Sequence, residues 1–168
     1  QCQPGTYSSG YNQSTAQSCV QAAPGHYVNG SGVYFQTPCP PGTYQPSSGQ
    51  SSCLDASPGH YANGHASTSQ TACSPGTYQP SSNQSFCIDA SPGHYANGHA
   101  STSQTACNAG TYNPIHGATN NSDCLPSYPG YYVDENGSAT QKPCPEGTFN
   151  PSLGMDDVSG CIDSLPGY

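Results

Sequence analysis

The sequence predicts a small disulfide-rich all-β repeat protein, an elongated linear array of short β-hairpins with a 17/34-residue period and essentially no helix. Three observations carry this expectation. Residues 55–73 recur letter for letter as residues 89–107, ten cysteines fall at two alternating spacings, and an aromatic residue follows each of a regular series of turn glycines. Self-similarity at a period of this size marks a linear array whose units bury surface against their neighbours.

Composition rules out an ordinary core. A chain of 168 residues is commonly one domain around one hydrophobic interior, yet Ile, Leu, Val and Phe together number 15, against 20 Gly and 17 Pro. Taken alone, that balance suits a disordered chain. Ten regularly spaced cysteines and 13 tyrosines argue for a folded one. A disulfide closing a loop of roughly 15 residues contributes about 3 kcal/mol, largely by restricting the unfolded chain, so cross-links replace the missing core. Disulfides persist in oxidising surroundings, which places the protein outside the cell, secreted or on its surface. The formal charge is −8 with Lys142 as the single base. No basic patch can neutralise phosphates, so nucleic acid is excluded as a partner. No apolar run approaches the roughly 20 residues of a membrane span, and no direct membrane insertion is expected. No charged-then-apolar leader precedes Gln1, as expected of a processed chain or of an excerpt from a longer one.

The cysteines stand at 2, 19, 39, 53, 73, 87, 107, 124, 144 and 161, and their gaps alternate between 14 or 17 and 20 residues. The glycines of the Pro-Gly or equivalent turns stand at 5, 25, 42, 59, 76, 93, 110, 130, 147 and 167, spaced by 17 or 20. The unit is therefore a half-repeat. One kind opens with Gly-Thr-Tyr/Phe, the other typically with Gly-His-Tyr. Cutting at the cysteine before each Gly-Thr-Tyr/Phe gives repeat 1 at 1–38, repeat 2 at 39–72, repeat 3 at 73–106, repeat 4 at 107–143 and a partial repeat 5 at 144–168. The last stops at Pro-Gly-Tyr168, where a new half-repeat is due, which is expected if the array continues in further chain or a neighbouring molecule.

Pro and Gly recur too often for helix, and no apolar stripe follows a 3.6-residue period. Each half-repeat reads instead as a hairpin of two strands of about 4–5 residues. Asn63-Gly64 and Asn97-Gly98 are type I′ turn signals, because both central residues of that turn take positive φ. Gln45-Pro-Ser-Ser-Gly49 supplies the corresponding turn in the other kind of half-repeat. Tyr7, Tyr27, Tyr44, Tyr61, Tyr78, Tyr95, Tyr112, Tyr132 and Phe149 each lie two residues past a turn glycine, and are expected to form a buried ladder.

Two regular disulfide schemes exist. Pairing across the short gaps joins Cys2–Cys19, Cys39–Cys53, Cys73–Cys87, Cys107–Cys124 and Cys144–Cys161. Pairing across the 20-residue gaps leaves Cys2 and Cys161 for outside partners. No two cysteines have the close spacing of zinc ligands. The run Cys73-Ser-Pro-Gly-Thr-Tyr-Gln-Pro-Ser-Ser-Asn-Gln-Ser-Phe-Cys87 resembles the ephrin-receptor-like cysteine-rich repeat, which is similar in turn to the first module of tumour-necrosis-factor-receptor repeats. The resemblance covers nearly the whole chain and implies the short-gap pairing. Arrays of that family usually carry Cys-x-x-Cys at each junction. Here each junction keeps one cysteine, as in Cys53-Leu-Asp-Ala56 and Gln70-Thr-Ala-Cys73, so half the family's bridges are absent.

Chemistry-bearing residues are few. His60 and His65, repeated as His94 and His99, could present imidazoles to a metal around an Asn-Gly turn, but Asn29-Gly30 keeps that turn with Ser31 in the second position. Asp55, Asp89, Asp123 and Asp163 supply about one carboxylate per repeat, thin for a calcium ion that takes six to eight oxygens. Asp134-Glu135 and Asp156-Asp157 read as solvated loops. No nucleophile elbow, metalloprotease helix or phosphate loop occurs. We expect no enzyme, no metal and no cofactor apart from covalent glycans. Sequons lie at Asn12, Asn29, Asn83, Asn120 and Asn136, whereas Asn150 is followed by proline. Ser67-Thr-Ser69 and Ser101-Thr-Ser103 are either O-glycan acceptors or plain polar surface. The expected protein is an extracellular structural glycoprotein, part of a filament, flagellar hair or cell-surface coat, with itself or other subunits as partners. Tandem arrays of the resembling family occur in such assemblies, and the same likeness also permits a receptor-type ectodomain.

Overall fold

The computed structural model describes residues 1–8 and 19–164. The Asn12 sequon and the Pro-Gly-Tyr168 end lie outside the described residues. Two compact units emerge, Gln1–Cys73 with Gln79–Cys87, and Ser74–Tyr78 with Ile88–Tyr168. In the first, β1 (Thr6–Ser8) pairs with β2 (Cys19–Gln21), β3 (His26–Tyr27) with β4 (Thr37–Pro38), β5 (Thr43–Tyr44) with β6 (Leu54–Asp55), and β7 (His60–Tyr61) with β8 (Thr71–Ala72). In the second, β9 (Thr77–Tyr78) pairs with β10 (Ile88–Asp89), β11 (His94–Tyr95) with β12 (Thr105–Ala106), and β13 (Thr111–Tyr112) with β14 (Leu125–Pro126). Two further pairs follow there, β15 (Tyr131–Tyr132) with β16 (Lys142–Pro143) and β17 (Thr148–Phe149) with β18 (Ile162–Asp163). All are antiparallel hairpins in sequence order, so the predicted all-β hairpin array is the observed fold.

The strands are shorter than the 4–5 residues expected, two or three each, because outside the paired strands most backbone hydrogen bonds of the described residues run between half-repeats. In the first unit the turn glycine's N–H donates to the next half-repeat, Gly5 to the Val28 carbonyl (2.7 Å), Gly25 to Gln45 (2.7 Å) and Gly42 to Ala62 (2.8 Å). Its carbonyl in turn accepts from the residue that opens that half-repeat: Ala22 N–H to Gly5 O (2.9 Å), Cys39 to Gly25 (2.8 Å), Ala56 to Gly42 (2.9 Å). The opening residue's own carbonyl accepts from a left-handed residue one half-repeat on: Gly32 N–H to Cys2 O (2.9 Å), Gly49 to Ala22 (2.8 Å), Ala66 to Cys39 (2.9 Å) and Asn83 to Ala56 (2.8 Å). The second unit repeats the pattern, as in Gly76 N–H to Ala96 O, Ala90 N–H to Gly76 O and Gly117 N–H to Ala90 O, each 2.8 Å.

The core follows from this network. Backbones that bond this closely leave room for small side chains, and the buried positions are the opening residues, Cys2, Ala22, Cys39, Ala56, Cys73, Ala90, Cys107 and Ser127, and those just past the aromatics, Val28, Ala62, Ala96 and Val133 with Gln45, Gln79, Asn113 and Asn150. The aromatic ladder is not the buried core that was expected. Its tyrosines are half-buried and Phe149 is 44% exposed, because each ring stands on a strand of two or three residues beside the backbone clamp rather than beneath it.

Two recurring positions of the half-repeat take positive φ. The Pro-Gly turns are type II turns with glycine at the third position: Thr6 N–H returns to the Gln3 carbonyl at 3.0 Å across Pro4-Gly5, whose φ is 88°. A Cβ on this glycine would strike the carbonyl of the left-handed residue two half-repeats along, that of Gly49 for Gly5 and of Ala66 for Gly25. The second position is that left-handed residue itself. Here the expectation of type I′ turns fails: Asn63, Gly64, Asn97 and Gly98 do not take positive φ, and the left-handed residues are Ala66 (φ 56°) and Ala100 (φ 55°). The Ser67 hydroxyl closes the loop on the Gly64 carbonyl at 2.8 Å and Ser101 does so on Gly98 at 2.9 Å. Ala66 N–H is meanwhile committed to the preceding half-repeat. The inter-repeat bond outweighs the local Asn-Gly preference.

Candidate functional site at the repeat junctions

The five disulfides join Cys2–Cys19, Cys39–Cys53, Cys73–Cys87, Cys107–Cys124 and Cys144–Cys161, with Cα–Cα distances of 5.5–5.9 Å. These are the short-gap pairs. Half-repeats without a cystine hold the same two positions differently. Their opening residue is Ala22, Ala56, Ala90 or Ser127, each 0% exposed. Where a second cysteine would stand they carry Gln36, Gln70, Gln104 or Gln141, whose Oε1 accepts the backbone N–H of Ala23 (2.7 Å), Ser57 (2.8 Å), Ser91 (2.7 Å) or Tyr128 (2.8 Å). The register is common to both kinds: Tyr44 faces Leu54 and Tyr61 faces Leu54's counterpart, Thr71. A small residue, alanine or at Ser127 serine, and a glutamine thus stand where the other half-repeats carry a cystine.

Residues 25–73 match the family model described as "Tyrosine-protein kinase ephrin type A/B receptor-like". That segment spans one glutamine half-repeat from its turn glycine, the Cys39–Cys53 half-repeat and the next glutamine half-repeat. The array is built of ephrin-receptor-like cysteine-rich repeats. No curated protein matches the chain. Five cystines in ephrin-receptor-like repeats are the make-up of an extracellular domain.

Four of the five half-repeats with cystines also use a buried amide, Gln45, Gln79, Asn113 or Asn150. The Gln45 Oε1 accepts Ser47 N–H (3.1 Å) while its Nε2 donates to the Ser52 carbonyl (2.8 Å), and Gln79 does the same with Ser81 and Phe86. In the longer half-repeats Asn113 and Asn150 close the turn on Ile115 and Ser152, and their Nδ2 donates to the carbonyls of His94 and Tyr131 in the preceding half-repeat. The three added residues of these half-repeats wind into single 3₁₀ turns, Asn121–Asp123 and Val158–Gly160. Asp123 accepts the N–H groups of Thr119 (2.7 Å) and Asn120 (3.1 Å), which hold its carboxyl below the usual range. Asp157 is lowered likewise, by the Ser159 hydroxyl and N–H. Two cues were in the sequence, the 17-residue cystine loops and the regular Gln of each repeat.

The predicted glycan acceptors that are described, Asn29, Asn83, Asn120 and Asn136, are all exposed. Asn29 lies just past buried Val28. Asn83 is the left-handed residue of its half-repeat, φ 60°. Asn120 caps the 3₁₀ turn, accepting from the N–H and hydroxyl of Ser122. Asn136 uses its Oδ1 to accept Ala109 N–H at 2.8 Å, which leaves its Nδ2, the atom a glycan joins, unbonded.

The remaining candidates stay apart. His60 and His94 donate from Nδ1 to the carbonyls of Pro58 and Pro92, and His65 and His99 are exposed. Among the described residues no three His, Cys, Asp or Glu side chains gather as metal ligands. Asp55, Asp89 and Asp163 stand singly on exposed strands. Asp134 pairs with Lys142 at 2.6 Å, with Glu135 3.9 Å from the same ammonium; the contact lowers the pKa of Asp134 and raises that of Lys142. Among the described residues no helix is long and apolar enough to cross a membrane.

Proposed function

We propose that the chain is an extracellular structural glycoprotein, a repeat segment of a filament, flagellar hair (mastigoneme-like) or cell-surface coat, without catalytic activity and without nucleic-acid or direct membrane partners. The observation that carries this reading is the recurrence of one backbone clamp from half-repeat to half-repeat within each unit. Main-chain atoms supply the cohesion, and small residues with glutamine or cystine repeat it. Such a network suits an element whose task is to continue, and its partners are further copies or other subunits. N-glycans on Asn29, Asn83, Asn120 and Asn136, with Asn12 in the undescribed stretch, would coat it.

Electron microscopy of the native material is expected to show fibres or a regular coat containing this chain, and glycopeptide mapping to find sugar on several sequons. A globule of this length has a radius of gyration near about 15 Å. Scattering at that value from a chain that never associates would defeat the reading. A receptor-type ligand-binding or adhesion ectodomain is the second reading, favoured by the family's name and by the adjacent exposed aromatics Tyr34 (61%) and Phe35 (67%). It predicts a monomer saturated by one partner.

A further inference from the structure

We propose that Tyr112 and Tyr128 form an oxidative cross-linking site, a pair preset to become dityrosine. Their ring centroids are 6.5 Å apart in an edge contact with 65° between the planes. Tyr128 is 51% exposed, open to an oxidant. It occupies the second position of its half-repeat, held by Ala23, Ser57 and Ser91 elsewhere. At all four positions the N–H makes the glutamine bond, so the fold does not ask for a phenol there.

Composition directs oxidation to tyrosine. The chain has 13 Tyr, no Trp and one Met, and among the described residues no free thiol, so the side chains that most readily quench a phenoxyl radical are scarce. In the reaction a peroxidase-class haem enzyme takes one electron and one proton from each phenol. The two radicals couple through ring carbons ortho to the hydroxyls, and each ring regains aromaticity by moving the ortho hydrogen to its oxygen. The two electrons and two protons reduce one hydrogen peroxide to two waters. The product would tie the half-repeat opening at Cys107 to the one opening at Ser127, which has no cystine of its own.

The inference rests on the extracellular placement and not on filament assembly. The test uses the full chain, dilute, with a haem peroxidase and hydrogen peroxide, followed by peptide mapping. The expected result is one dominant intrachain cross-link, Tyr112 to Tyr128 less two hydrogens, with blue dityrosine fluorescence. Tyr128→Ser, the residue at the equivalent positions 57 and 91, is expected to lose that cross-link and most of the fluorescence while keeping all five disulfides. Tyr112→Phe keeps the ring and should lose the cross-link too. Cross-links spread over other tyrosines without preference for this pair, or unchanged fluorescence in Tyr128→Ser, would overturn the proposal.

Discussion

The half-repeats opening at Cys39 and Ala56 have the same strand register and the same left-handed position, Gly49 in one and Ala66 in the other. They differ in what joins the opening position to the position fourteen residues on. In the first it is a covalent bond between Cys39 and Cys53; in the second, buried Ala56 and a hydrogen bond from Ser57 N–H to Gln70. Geometry is therefore set by the backbone clamp common to both, and the disulfide adds stability by acting on the unfolded chain. A covalent bridge in every second half-repeat is enough when the others copy the shape without it.

The comparison can be broken most severely at the turn glycine. Gly25→Ala and Gly42→Ala, one in each kind of half-repeat, should cost similar amounts, about 2–5 kcal/mol from left-handed strain and collision together, read as urea midpoints. A much milder effect in the cystine half-repeat would mean that the bridge, not the clamp, holds the shape. Next comes the exchange of the two solutions. Cys39→Ala with Cys53→Gln should lose about 3 kcal/mol of cross-link and recover about 1 kcal/mol through the glutamine bond. The reverse pair, Ala56→Cys with Gln70→Cys, should oxidise to a sixth disulfide, visible as the absence of free thiol by mass spectrometry. Free thiols at both positions would refute the equivalence.

The smallest effect concerns the 3₁₀ insertion that distinguishes the longer cystine half-repeats. The folded carboxyl of Asp123 titrates below its unfolded value, near about 3.9, because backbone N–H groups of Thr119 and Asn120 bond the charged form. Its contribution is present above the unfolded pKa and lost as pH falls through the lowered one. Protection of the Thr119 and Asn120 amides, measured against the intrinsic exchange rate at each pH, should therefore fall in acid, and Asp123→Asn should remove that dependence. Identical acid sensitivity in the variant would assign the effect elsewhere.

Much of this was legible in the residues. Pro4-Gly5 and its successors marked the turns, and the structure makes them type II, since proline presets φ and only glycine accepts the third position without cost. The Gly-Thr-Tyr and Gly-His-Tyr runs gave the hairpins. Asn63-Gly64 misled because a local turn preference amounts to little beside an inter-repeat hydrogen bond that needs Ala66 left-handed. The tyrosines misled because a large aromatic is ordinarily the most profitable residue to bury, whereas close backbone contact admits only side chains such as Ala56 and Cys73.

By itself the amino-acid order determined the period and the all-β hairpin array, because spacing and turn chemistry act within a few residues. Only the tertiary structure decided that Gln70 stands in for a cysteine, that Gln45 and Asn113 are buried amides, that Ala66 is left-handed, and that Tyr112 meets Tyr128. Each of those depends on which main-chain group of a neighbouring half-repeat, or which ring beside it, comes within bonding or contact distance, and a linear sequence carries no record of that approach.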